Sequence, residues 1–135
     1  SAAAMGATAF QKGLGAIHAL SHPAGALYDT HHGLTNAVFM PYVLVYNRAA
    51  IEQRIERLAA YIGLEPSFQA FLDWVLKLRK DLGVPHTLDG LKIDAARFDE
   101  MSAMAPEDPT AGGNPVPITK ESARGLYETA LAGRL

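Results

Sequence analysis

The chain has 135 residues, of which 49% are hydrophobic and 19% are charged, a balance typical of a folded domain with one core. Its 12 Lys and Arg and 14 Asp and Glu give a formal net charge of −2, which argues against a nucleic-acid-binding surface. The absence of cysteine excludes disulfides, cysteine zinc sites and thiol catalysis and is compatible with the cytoplasmic location that we expect. No apolar run reaches the length of about 18 residues that a membrane helix needs, so neither a nucleic acid nor a membrane is an expected partner.

The first third of the chain is strongly apolar. Residues 2–20 are rich in Ala and apolar on nearly all sides, which predicts one buried helix. Pro23 is predicted to end that helix, because proline cannot continue the hydrogen-bond ladder, and residues 24–33 are then a loop. For residues 34–47 we predict a helix kinked at Pro41 rather than a strand, because the apolar run is long for a strand and proline is poorly tolerated within a sheet.

The rest of the chain predicts amphipathic helices. Residues 48–63 and 66–82 each carry hydrophobic side chains at helical spacing among charged ones, and each run ends at a glycine. Shorter helices are predicted at residues 94–104 and 120–132, separated by a loop at 105–117 that is rich in Pro and Gly. No segment alternates in the way that a strand requires, so the predicted fold is all-α, a helical bundle.

Four of the five histidines are close together in the sequence: His18, His22, His31 and His32. His18 and His22 are four residues apart and share a helix face, and the following loop can bring His31 or His32 back towards them. Imidazole is the commonest metal-binding side chain in proteins. The residue chemistry alone leaves two alternatives, a metal site or a structural hydrogen-bonding cluster, whereas the isolated His86 is expected to be structural.

Two more specific motifs, for a metalloprotease and for dinucleotide binding, are incomplete in this sequence. His18 and His22 have the spacing of a metalloprotease helix, but no Glu follows the first histidine. The segment that starts with Gly13 and Gly15 begins like a dinucleotide-binding fingerprint, but it lacks the third glycine and follows no strand. These two site classes are therefore not predicted.

A longer motif covers residues 13–41, GLGAIHALSHPAGALYDTHHGLTNAVFMP. It contains the pattern G-x-x-H-x-x-x-H-x-x-G, followed by H-G and then N-A-x-x-x-P. This run resembles the metal-binding segment of the iron-containing alcohol dehydrogenase family, and the Asn114-Pro115 turn resembles the one before the last helix in that family. The resemblance extends over residues 1–135 and implies the C-terminal helical, metal-binding domain of such a dehydrogenase.

The resemblance also implies the roles of three histidines. His18 and His32 match the family's metal ligands, and His22 matches a catalytic residue beside the metal, near the nicotinamide and the substrate. The residue before the H-G histidine is commonly Pro in the family and is His31 here, and we expect His32 rather than His31 to be the ligand. The implied metal is Fe²⁺, although three histidines and one carboxylate would also suit Zn²⁺.

The remaining implications concern a longer protein. The family has an N-terminal α/β domain that binds NAD or NADP, and an earlier part of the helical domain with an Asp and a His ligand. Neither matches residues of this chain, so we expect a C-terminal fragment that is inactive alone. The implied partners are its own N-terminal domain, a small alcohol or aldehyde substrate and, in a homo-oligomer, further copies. The implied reaction is metal-assisted hydride transfer between an alcohol and an aldehyde or ketone; the alternative is a stand-alone helical metal-binding or oligomerisation module.

Overall fold

Six α-helices and four short 3₁₀ turns form the computed structural model, which describes all residues from 1 to 135. The helices are α1 (Ala2–Phe10), α2 (Ala16–Tyr28), α3 (His32–Tyr61), α4 (Phe68–Asp81), α5 (Phe98–Met104) and α6 (Lys120–Ala132). The 3₁₀ turns are Leu88–Leu91, Ala95–Arg97, Ala105–Glu107 and Ala111–Gly113. The chain has no strand, so the predicted all-α class is confirmed. None of the helices combines the length and apolar character needed to cross a membrane.

The single buried helix predicted for residues 2–20 is wrong. The segment is two helices, and the break between them contains Gly13 in the left-handed region at φ 91° and Gly15 in an extended conformation. No residue of α1 is buried, and Met5 and Phe10 are 66% and 62% exposed. An apolar pattern on all sides shows that a helix can be buried, but burial also needs a neighbouring element, and nothing in this chain covers α1.

Helix α2 runs through Pro23, so the predicted helix end and the predicted loop at residues 24–33 are also wrong. The proline removes only one helical donor, the one that would meet the carbonyl of Ala19, and its ring is buried in the core. The helix ends instead at Asp29, which takes the left-handed conformation at φ 52° while its N–H donates to the carbonyl of Gly25 at 3.0 Å. The connection to α3 is therefore very short.

Helix α3 is one continuous element of 30 residues where the sequence predicted separate helices at 34–47 and 48–63. Residues 42–60 contain neither Gly nor Pro, so nothing breaks the backbone where the apolar pattern becomes amphipathic. The pattern changes because the first half of α3 packs in the main core, whereas the second half packs on α4 around Ala59. Pro41 lies inside the helix and is buried.

The predictions for the later helices are confirmed for α4, within two residues at each end, and for α6, whose bounds match. Helix α6 has a capping box, in which the Thr119 side chain accepts from the Ser122 N–H, and it ends at Gly133 with φ 69°. The predicted helix at 94–104 is a 3₁₀ turn followed by α5. The predicted loop at 105–117 contains two further 3₁₀ turns.

The main core joins α2, the first half of α3, α5 and α6 through 16 buried hydrophobic residues. At its centre, the fully buried Tyr127 of α6 packs its ring near Phe39 and Phe98, with ring centroids 5.6 and 5.5 Å away. Its hydroxyl donates to the carbonyl of Leu20 in α2 at 2.9 Å. This packing confirms the helical bundle and holds the first turns of α2 beside the start of α3.

Candidate metal centre

Three of the clustered histidines come together where α2 lies against the start of α3. His18 and His22 lie one turn apart on α2, and the short connection after Asp29 brings His32, the first residue of α3, alongside them. The ring centroids are 5.1 Å apart for His18 and His32, 5.3 Å for His22 and His32, and 5.8 Å for His18 and His22. The structure thus gathers all three predicted site residues into one cluster.

Asn36 connects two of these rings. Its Nδ2 donates to Nε2 of His32 at 3.0 Å and to Nε2 of His18 at 3.3 Å. Both imidazoles then carry a lone pair on Nε2, and the two lone pairs point to the same place. This is the form of histidine that binds a metal. The Oδ1 atom of Asn36 is buried and has no hydrogen-bond partner, so a polar group in the cluster lacks the partner that a bound ligand would give it.

The charge state of His18 also suits a ligand. Burial lowers the pKa of His18 below its ordinary value, the neighbouring His32 and His22 rings lower it further, and Asp108 opposes them. The neutral imidazole is therefore favoured, and a neutral imidazole is what a metal requires.

A carboxylate from a distant part of the chain reaches the third ring. Nδ1 of His22 lies 2.7 Å from Oδ2 of Asp108, whose side chain is only 11% exposed. Oδ1 of Asp108 accepts from the N–H of Thr110 at 2.8 Å and from its hydroxyl at 2.5 Å. Burial acts to raise the pKa of Asp108, but the hydrogen bonds from Thr110 and His22 outweigh burial and leave the pKa below its ordinary value.

The other two histidines lie outside the cluster. Nδ1 of His31 accepts from the N–H of Leu34 at 3.2 Å and so caps the N-terminus of α3. His86 lies near Tyr42, and its Nε2 is 3.1 Å from the carbonyl oxygen of Gly133, which fits the structural role expected for it.

The Asn114-Pro115 turn holds the helix that carries His18. Oδ1 of Asn114 accepts from the N–H of Ala16, in the first turn of α2, at 3.1 Å. The turn lies very close to this segment, since a Cβ added to Gly113 would be 2.0 Å from the carbonyl oxygen of Leu14. Beside it, a cleft of about 380 Å³ is bordered by His18, by the residues that precede α2 and by α3.

Sequence reasoning missed Asp108, Thr110 and Asn36 as site residues. Asp108 is 86 residues from His22 and lies in a segment without helical periodicity, so no spacing rule connects the two. Asn36 did have a signal, because it is four residues after His32 and therefore lies on the same face of the helix.

The cluster fits part of a metal site. His18 and His32 offer two convergent nitrogen donors, whereas the chain contains no group of three or more His, Asp or Glu side chains placed to hold a metal ion. A protein zinc site normally takes three or four protein ligands. Further ligands would thus have to come from outside the described cluster.

Comparison with known proteins finds relatives of this chain. Residues 1–131 match the C-terminal part of the Fe-containing alcohol dehydrogenase family. Lactaldehyde reductase of Escherichia coli K12 is 33% identical over 125 residues, which cover 87% of this chain and 33% of that protein. The iron-containing alcohol dehydrogenase from Thermococcus thioreducens superposes with a TM-score of 0.80 at 33% identity, over 90% of this chain and 32% of that one. A 1,3-propanediol oxidoreductase gives 0.81 at 30% identity, over 87% and 33%. The chain spans about a third of the length of these relatives.

Proposed function

Because the chain belongs to the Fe-containing alcohol dehydrogenase family, we propose that it supplies the metal-binding part of an NAD(P)-dependent alcohol dehydrogenase. The reaction interconverts an alcohol with an aldehyde or ketone by hydride transfer to or from a nicotinamide. The observation that carries this proposal is the convergence of Nε2 of His18 and Nε2 of His32 on one point, within 3.3 Å of the Asn36 amide nitrogen.

His18 and His32 would hold the metal. We propose Fe²⁺ because the chain belongs to an Fe-containing family, although Zn²⁺ suits the same nitrogen donors. A divalent metal bound there would act as a Lewis acid on the substrate oxygen. His31 does not compete for this role, because its Nδ1 caps α3 and its ring lies outside the cluster. The cluster supplies two of four expected ligands, which is consistent with an Asp and a His ligand from an earlier part of the helical domain.

His22 is proposed as the catalytic residue rather than as a ligand. Its Nδ1 is already engaged by Asp108 at 2.7 Å, and its side chain is 41% exposed, so the ring is open to a small substrate. At that place an imidazole can accept or return the hydroxyl proton of the alcohol.

The rest of the proposal concerns the longer protein. NAD or NADP would bind mainly to an N-terminal α/β domain, and residues 1–135 form the C-terminal helical domain that packs against it. The homo-oligomer and the cytoplasmic location expected from the sequence are part of the same proposal. The 135-residue chain alone is then expected not to oxidise NAD(P)H, because no nicotinamide is positioned against the substrate.

A second function is favoured by one observation. Helix α1 is wholly exposed although it carries Met5 and Phe10, and exposed apolar surfaces of this kind mark protein contacts. A helical oligomerisation module would use that face and would need no metal.

Metal binding by the chain itself tests the proposal. Equilibrium dialysis against Zn²⁺, or against Fe²⁺ without oxygen, should show one weak site that His18→Ala or His32→Ala weakens by about tenfold or more. His22→Ala should leave the affinity unchanged. His86→Ala is the matched control, because it removes a histidine outside the cluster. Equal affinity for all four variants would contradict the metal site and leave the oligomerisation module.

A further inference from the structure

We propose that Asp108 is a positioning residue for His22: its carboxylate holds the hydrogen on Nδ1 and so leaves Nε2 as the free nitrogen. This inference rests on the proposed function, because it assigns His22 to the site beside the metal ligands. It adds a residue that the histidine motif does not contain and that comes from the opposite end of the chain.

The hydrogen-bond geometry decides which nitrogen carries the hydrogen. An ionised carboxylate can only accept hydrogen bonds, and Oδ2 of Asp108 lies 2.7 Å from Nδ1 of His22. The hydrogen in this contact must therefore belong to Nδ1. Thr110 donates twice to the other carboxylate oxygen, which stabilises the ionised form and fixes the plane of the carboxylate.

The backbone around Asp108 is held by backbone hydrogen bonds and not by the histidine. Its N–H donates to the carbonyl of Ala105, which is fully buried, and its own carbonyl accepts from the N–H of Ala111 at 2.9 Å. The Thr110 hydroxyl also lies 3.5 Å from the carbonyl of Gly15, at the start of α2. Since the carboxylate is anchored in this way, it can orient the more exposed imidazole.

The orientation has a chemical consequence at the other side of the ring. Nε2 of His22 makes no hydrogen bond within the chain, and its ring stacks on that of His32 with an interplanar angle of 17°. When an alcohol is oxidised, its C–H hydrogen leaves as hydride to the nicotinamide, its O–H bond breaks and an N–H bond forms at Nε2. The positive charge of the resulting imidazolium is then offset by Asp108, which stays ionised. In the reverse direction the proton returns from Nε2 to the oxygen.

The ratio of the Nδ1–H form to the Nε2–H form of His22 can be measured by ¹⁵N NMR on the histidine-labelled chain. The measurement is made at about pH 8.5, where an ordinary histidine is neutral. The Nδ1–H form of His22 should dominate. In Asp108→Asn the ratio of the Nδ1–H form to the Nε2–H form should fall by about tenfold or more, because the charge-assisted hydrogen bond is lost. Asp108→Glu should restore part of the ratio. Glu107→Gln, which removes the same charge from an exposed neighbour, should leave it unchanged.

A milder variant provides a second measurement in case Asp108→Asn does not fold. Thr110→Val removes the hydroxyl that donates to Asp108 and keeps a side chain of similar shape, so the ratio should fall by less than in Asp108→Asn. A wild-type His22 that is mainly in the Nε2–H form would overturn the proposal, as would an unchanged ratio in folded Asp108→Asn. Metal affinity separates the two proposals. An unchanged ratio with intact metal binding rejects only the role of Asp108, whereas absence of metal in the longer protein that carries this chain rejects the proposed function.

Discussion

Asn47 and Asn114 exchange a reciprocal pair of hydrogen bonds, in which each side-chain amide donates to the carbonyl oxygen of the other, at 2.9 and 2.8 Å. Asn47 lies in the middle of α3 and is only 6% exposed, whereas Asn114 belongs to the turn before α6. Because Asn114 also accepts from the N–H of Ala16, the pair connects three separated parts of the chain at the turn that carries His18.

Removing either asparagine should therefore destabilise the fold. Asn114→Ala leaves both polar atoms of buried Asn47 and the N–H of Ala16 without these partners, which should lower the free energy of unfolding by about 3 kcal/mol. Urea unfolding would measure the loss. Asn47→Ala should cost a similar amount, and the double variant should cost clearly less than the sum. Additive losses would show that the two side chains act independently.

Because the Asn114 turn lies so close to α2, alanine substitutions at two adjacent glycines should affect stability differently. A Cβ at position 113 would be 2.0 Å from the carbonyl oxygen of Leu14, whereas a Cβ at 112 would meet nothing within 4 Å. Gly113→Ala should lower the free energy of unfolding by about 3 kcal/mol and weaken metal binding through displacement of His18. Gly112→Ala is the control and should change neither quantity. Equal stability of the two variants would contradict the described contact.

Buried Tyr127 should make the fold sensitive to alkali. Burial raises the pKa of Tyr127 far above the ordinary value of 10.0, so the folded chain keeps a proton that the unfolded chain releases. This contribution to stability is fully present below about pH 10 and is lost as the pH rises further. Tyr127→Phe should cost about 1 kcal/mol at neutral pH through loss of the bond to Leu20, but should reduce the decline in stability above about pH 10. Urea unfolding at each pH would measure the effect, and the exposed Tyr61→Phe is the control that should behave like the wild type. If Tyr127→Phe showed the same alkaline loss of stability as the wild type, other groups would be responsible for it.

The roles proposed for the histidines predict a separation of metal content from turnover. In the longer protein that carries this chain, His22→Ala should keep its metal and lose activity by about a hundredfold or more, because the proton acceptor is gone. His32→Ala should lose metal and activity together. Metal analysis alongside NAD(P)H absorbance would measure both. If His22→Ala removed the metal as completely as His32→Ala, the assignment of ligand and catalytic residue would be wrong.

The sequence predicted the later helices well because their signals are local. Thr119 and Gly133 mark the two ends of α6 within a few residues of its hydrophobic stripe, and no distant contact is needed to interpret them. Pro23 is the opposite case, since its local preference to end a helix is outweighed by burial of its ring in the core. The exposure of α1 likewise depends on which elements surround it, and an apolar pattern carries no information about that.

The difference between local signals and distant contacts also explains which site residues could be predicted. The contact between His18 and His22 follows from helical spacing, and that with His32 from the short connection after α2. Asp108 was not predicted, because its place beside His22 is set by the path of the intervening 86 residues and by the two 3₁₀ turns around it. A family motif marks residues that recur in one segment, whereas a partner contributed from a distant loop becomes visible only in three dimensions.

The bond between Tyr127 and Leu20 spans 107 residues, and this separation has a consequence for the order of events during synthesis. The two histidines of α2 leave the ribosome well before the Tyr127 ring that packs near Phe39 and Phe98. Until then the aromatic centre of the core is open, and a nascent chain with such exposed apolar surface is prone to aggregate. A chain that ends a few residues before Tyr127 would lack the ring between Phe39 and Phe98 and the hydrogen bond to Leu20, so it should hold α2 less firmly beside α3 although every histidine of the cluster is present.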